Sequence, residues 1–174
     1  MMNLGWQMRW SFLSLVVLIA SLVAGAVHAD ARTDELAGEA AFARGDFPEA
    51  ARLLRKAADQ GNAEAQYNLG AMYRAGQGVP QGNAEAVRWF RKAADQGDAK
   101  AQYNLGVMYH DGQGVPQDLV RALMWVSLST ANLQGEERYQ AERNRAFMAS
   151  KMTPAQVTEA QKLALEWKPK PDSR

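Results

Sequence analysis

A stretch of 36 residues is written twice in this chain, without a gap. Arg55 to Phe90 and Arg91 to Val126 share 24 of those 36 positions. A duplicated unit of this length is one supersecondary element that cannot bury its apolar side alone. Copies must stack, and the stack is a solenoid with an extended surface.

The punctuation inside the unit describes a pair of helices. Asp59-Gln60-Gly61-Asn62 recurs as Asp95-Gln96-Gly97-Asp98. Each segment ends one helix at glycine and starts the next with an Asn or Asp cap, whose side-chain oxygen accepts from free backbone amides. The first helix is expected from about Ala63 to Arg74, and again from about Ala99 to His110. Ala65, Leu69, Met72 and Tyr73 fall at helical spacing and mark its buried side. Gly70 and Gly106 lie inside these helices, where glycine costs about 1 kcal/mol relative to alanine. They read as points of close helix–helix approach. Gly76 and Gly112 stop the helix. The Gly-Val-Pro segments at 78–80 and 114–116 form a loop, since the residue before proline is pushed out of helical geometry. A second helix follows from Asn83 or Asp118, with Ala86 and Trp89, or Ala122 and Trp125, turned inward.

The unit resembles the Sel1-like repeat, a relative of the tetratricopeptide repeat. The residues that carry the resemblance are Ala101 to Gly106, Met108-Tyr109, Gly112 to Val115, Ala122, Trp125 and the Lys-Ala-Ala-Asp-Gln-Gly runs at 56–61 and 92–97. The resemblance implies an all-α fold, a right-handed α/α solenoid of antiparallel helix pairs. It also implies an interaction scaffold, an adaptor or regulator that binds another protein or peptide.

The flanks read as degenerate capping units. The expected organisation is a signal peptide at 1–29 and a degenerate repeat at 30–60. Full repeats follow at 61–96 and 97–132, then capping helices at 133–168 and a disordered tail at 169–174. About eight helices, paired as four hairpins, are expected from the repeat pattern. Asp46 with Glu49, and Thr153 with Gln156, have capping-box spacing. Val157, Ala160, Ala164 and Trp167 share one side of the last helix.

Residues 1–29 stand apart. Arg9 precedes an uncharged, largely apolar run from Phe12 to Ala26, and Val27-His28-Ala29 forms a signal-peptidase pattern before Asp30. Cleavage between Ala29 and Asp30 predicts a periplasmic or secreted protein. If the segment stayed attached, the chain would be an adaptor anchored in the inner membrane, its only expected membrane contact. Without Arg9, 19 basic and 19 acidic residues remain, so no nucleic-acid footprint is expected. There is no cysteine, which removes disulfide staples and thiolate metal sites and suits a disulfide-free periplasmic monomer.

No catalytic, cofactor-binding or metal-binding residue is expected. His110 has no second histidine near it outside the leader. Asp111 follows it, but neighbours on a helix point about 100° apart, so the two are not expected to converge. The Gly-Gln-Gly turns lack the Lys-Ser/Thr of a phosphate loop. An envelope enzyme or a binder of cell-wall fragments is the alternative, and it would need convergent ionisable groups.

The candidate partner-binding strip is Tyr67, Arg74, Tyr103 and His110, spaced seven residues apart on the two first helices. It lies opposite the Leu69–Met72 side. Two arrangements fit the tyrosines: packing against the neighbouring unit, or lining the inner groove. Arg74 and His110 are polar and differ between copies, which favours the groove for them.

Overall fold

The computed structural model describes residues 30–170. The leader, including the expected cleavage at Ala29, lies outside the described residues, as do 171–174. Helix α1 covers 30–43. It is followed by α2 (Phe47–Asp59), α3 (Ala63–Ala75), α4 (Asn83–Asp95), α5 (Ala99–Asp111), α6 (Leu119–Asn132), α7 (Gly135–Ser150) and α8 (Pro154–Glu166). There is no strand among the described residues.

The caps form where the sequence places them. Asn62 accepts from the Ala65 amide at 2.8 Å and Asp98 from Ala101 at 2.6 Å. Asp118 accepts from Arg121, and Thr153 and Gln156 make the reciprocal capping box. Each such cap contributes about 1 kcal/mol. Asp46 caps α2 alone, because Glu49 turns instead to Arg52.

Packing follows the repeat. Helices α3 and α4 pair, as do α5 and α6, and each new first helix lies on the preceding second helix. Leu54, Leu69, Met72 and Trp89 form one buried cluster, and Phe90, Leu105, Met108 and Val126 a second. A β-carbon on Gly70 would meet the Phe90 ring at 2.8 Å, and one on Gly106 would meet Val126 Cγ2 at 2.6 Å. These glycines are the expected close approaches.

Three features were not legible in advance. The second glycine of each Gly-Gln-Gly turn, at φ +70° in Gly78 and +72° in Gly114, presses on the start of the previous repeat's second helix. Gly78 lies on the Phe47 carbonyl, and Gly114 on Asn83 with Ala84 N only 2.7 Å from where a β-carbon would stand. The turn therefore also sets the stacking distance.

The second feature is a buried glutamine ladder. Gln66 Nε2 donates to the Ala58 carbonyl at 3.0 Å, and Gln102 Nε2 to Ala94 at 3.2 Å. Gln96 reaches across repeats and donates to Gln66 Oε1 at 2.8 Å. The ladder stops at Gln102, whose buried Oε1 has no hydrogen-bond partner among the described residues. The position matching Gln96 is Asn132, one methylene shorter and exposed.

The C-terminal end corrects the expected fourth hairpin. Helices α7 and α8 both pack on α6 rather than along one another. The cause lies in α6, which carries Met124, Ser127 and Leu128 where α4 has Arg88, Arg91 and Lys92. Met124 and Leu128 join the core cluster that contains Ala160 of α8. Full burial of such side chains is worth about 1.5–3 kcal/mol each, and the partial burial of these two contributes a share of that, so α8 covers the outer side of α6. Trp167 meets Trp125 edge-on at 6.2 Å. The chain remains docked to 170, since the Lys170 amide donates to the Asp95 carbonyl at 2.7 Å.

Candidate functional site: the inner groove

The inner surface is made by the first helix of each pair. Between α3, α5 and α7 lies a cavity of about 380 Å³, lined by Tyr67, Arg74, Tyr103, Asn104 and residues of α7. A second cavity of about 580 Å³ adjoins it near the N-terminal ends of α3, α5 and α7, sharing Tyr67, Lys100, Leu133 and Glu137. Volumes of this size are in the range of ordinary binding clefts.

Three of the four candidate residues come together here. Tyr67 and Tyr103 occupy matching positions on α3 and α5, and both are half-buried. Tyr67 leans on Phe90, with ring centroids 5.9 Å apart. The Tyr103 hydroxyl accepts from Asn144 on α7. Tyr67 thus packs within its own repeat and Tyr103 against the next unit, while both line the groove, so the two arrangements coincide at Tyr103. Arg74 is exposed, donates to Asn104 on the next first helix, and lies over the Phe90 ring at 5.8 Å.

His110 does not line the cavity. Its ring stands 6.1 Å from Phe147 of α7. Its Nδ1 is 2.7 Å from Asp111 Oδ1, so the adjacent pair does converge, contrary to the helical-wheel expectation. Both residues are in the last turn before Gly112, where the side chains are free to fold toward each other.

The rest of the groove was missed from sequence. Lys100 pairs with Glu137 at 3.3 Å, tying α5 to α7, and this contact raises the lysine's pKa. An exposed pair of this kind is worth about 0–1 kcal/mol, so it orients side chains more than it stabilises. Glu64 and Lys100 are the same repeat position with opposite charge, and that divergence was the available signal. Asp98 is pushed above the ordinary aspartate range, mainly by burial. Glu35 is likewise raised, first by burial and then by Glu64. Its side chain is 1% exposed and pairs with Arg32 at 3.1 Å. No helix among the described residues is long and apolar enough to cross a membrane.

The Sel1 repeat model matches residues 36–62, 63–98 and 99–131. A solved structure of c5321, a protective antigen of uropathogenic Escherichia coli strains with an SLR fold, is similar at 33% identity and a TM-score of 0.73. The match covers 79% of this chain and 30% of that one, so the chain spans under a third of that relative's length. A Sel1 repeat protein from Oxalobacter formigenes is similar at 41% identity, covering 49% of this chain and 66% of that one, with a TM-score of 0.48. No curated protein sequence matches the chain. Sel1 repeats form scaffolds that generally mediate protein–protein interaction. The second and third matched repeats span the pairs α3–α4 and α5–α6, and the first takes in the later part of α1 with α2; the chain belongs to the Sel1 repeat family.

Proposed function

We propose that this chain is a non-catalytic adaptor or regulator of the bacterial envelope, binding a protein or peptide in its inner groove. The observation that carries this reading is the convergence of Tyr67, Arg74 and Tyr103 on one cavity between successive first helices. Tyrosine and arginine are the residue types enriched where interfaces concentrate their binding energy. The groove spans several repeats, which suits an extended ligand better than a compact one. The leader pattern at 1–29 supports export, with cleavage between Ala29 and Asp30, and N-terminal sequencing of the exported chain tests that step.

Capture on the immobilised full chain, compared with its Arg74→Ala and Tyr67→Ala variants, tests the groove. Loss of the same captured protein from both variants, with helicity retained, supports the reading. Capture unchanged by both variants refutes it.

A further inference from the structure

Resting on the reading of the inner groove as the binding surface, we infer the chemistry of its occupant: an extended polypeptide segment in which a large apolar side chain adjoins a lysine or arginine. Between α1 and α3 lies a cavity of about 290 Å³ whose walls include Phe42, Leu54, Ala71 and Met72. Phe42 is 39% exposed there, an apolar ring left facing water. Glu39 and Asn68 line this cavity and also the 580 Å³ cavity beside it. An apolar compartment and a polar one are therefore consecutive along one groove.

The polar compartment is acidic. Oxygens of Glu35, Glu39 and Glu64 lie within 4.8 Å of one another. Arg32 is set among them, 3.1 Å from Glu35 and 3.6 Å from Glu64, and Glu39 accepts a neutral hydrogen bond from Asn68. Further along, Asp98 and Glu137 line the same cavity, and Lys100 is committed to Glu137. Glu136 and Arg74 both line the 380 Å³ cavity at the far end. Carboxylates thus outnumber cations along the groove. The Glu35, Glu39 and Glu64 oxygens lie well inside one Debye length, about 8–10 Å at ordinary salt, so their potentials add. A guanidinium or ammonium between Glu39 and Glu64 would relieve their repulsion, while an adjacent leucine, methionine or phenylalanine entered the Phe42–Met72 compartment. An acidic segment would meet like charge, which selects against it.

The test is fluorescence anisotropy on the full chain. The probes are labelled glycine–serine peptides of about ten residues, with a central Leu-Arg, Leu-Gln, Leu-Glu or Gly-Arg pair. Leu-Arg should bind about tenfold tighter than Leu-Gln or Gly-Arg, with Leu-Glu weakest, and the Arg advantage should shrink when salt rises to about 0.5 M. Glu39→Gln combined with Glu64→Gln should erase that advantage while the melting curve holds. If that pair unfolds the chain, Glu136→Gln on exposed α7 should reduce the advantage in the same direction. Leu-Glu binding as tightly as Leu-Arg, an Arg advantage indifferent to these variants, or no binding by any peptide overturns the inference. Where Leu-Glu binds and Tyr67→Ala or Arg74→Ala abolishes it, the groove reading survives and only the basic occupant falls. Peptide binding indifferent to every groove variant overturns both.

Discussion

Replacing Gly114 by alanine tests how the repeats are held at their spacing. Gly114 has φ +72° and Gly112 has φ +68°, so alanine at either site carries similar backbone strain. That strain is about 1–2 kcal/mol for a left-handed L-residue. The surroundings differ. A β-carbon on Gly112 would meet Gln117 at an ordinary 3.5 Å, whereas one on Gly114 would overlap the Asn83 carbonyl carbon and stand 2.7 Å from Ala84 N. Those atoms belong to the start of α4 and cannot rotate away as a side chain could. Forcing extra volume into such a contact costs about 1–3 kcal/mol more. Gly114→Ala should therefore lose about 2–5 kcal/mol and Gly112→Ala about 1–2 kcal/mol. Urea unfolding followed by circular dichroism reads both. In a stacked array part of the stability lies in the interfaces between units, so Gly114→Ala should also broaden the transition. If the two variants unfold within about 0.5 kcal/mol of each other, the turn does not set the stacking distance, and the argument is wrong.

Asn132→Gln should restore the missing rung at Gln102 and stabilise the chain by about 0.5–1.5 kcal/mol, read as a higher unfolding midpoint. Leu105→Ala, at a site with no exposure, should cost about 2–5 kcal/mol in the same assay. Arg74→Ala should cost about 1 kcal/mol or less in stability, since the arginine is itself exposed, yet weaken partner binding by more than about 1 kcal/mol by calorimetry. His110→Ala should leave binding nearly unchanged. Folded Glu35 holds its proton more tightly than an ordinary glutamate, so the folded state binds more protons than the unfolded one just above that range. Stability should fall as pH rises from the ordinary glutamate value of 4.5 through the raised one. Glu35→Gln should remove that part of the pH dependence, seen in unfolding midpoints taken across the window.

The repeat made the helix pairs readable because its signals are local. A cap such as Asp98 acts within three residues, and a glycine such as Gly106 declares a close contact by lacking a side chain. What escaped notice depends on contacts between units. The Gly114 contact with Asn83, the rung from Gln96 to Gln66, and the docking of α8 on α6 each join residues some 30 or more positions apart. Each left a trace, such as Asn132 for Gln96 or Leu128 for Lys92, but only the stacking shows what the change does. The binding strip was legible in part for the same reason. Tyr67, Arg74 and Tyr103 are repeat positions, whereas Glu39 and Glu137 enter the groove from the degenerate flanking helices α1 and α7.

The central claim is that the inner surface is the one that meets a partner. A photo-crosslinking amino acid placed at Gln140 or Asn68, both in the groove walls, and separately at Arg52 or Arg88, on α2 and α4 and outside those walls, tests this in the cells that make the chain. The account predicts one discrete crosslinked partner from the groove positions and none from Arg52 or Arg88. The same partner crosslinking from Arg52 and Arg88, with none from Gln140 and Asn68, contradicts it.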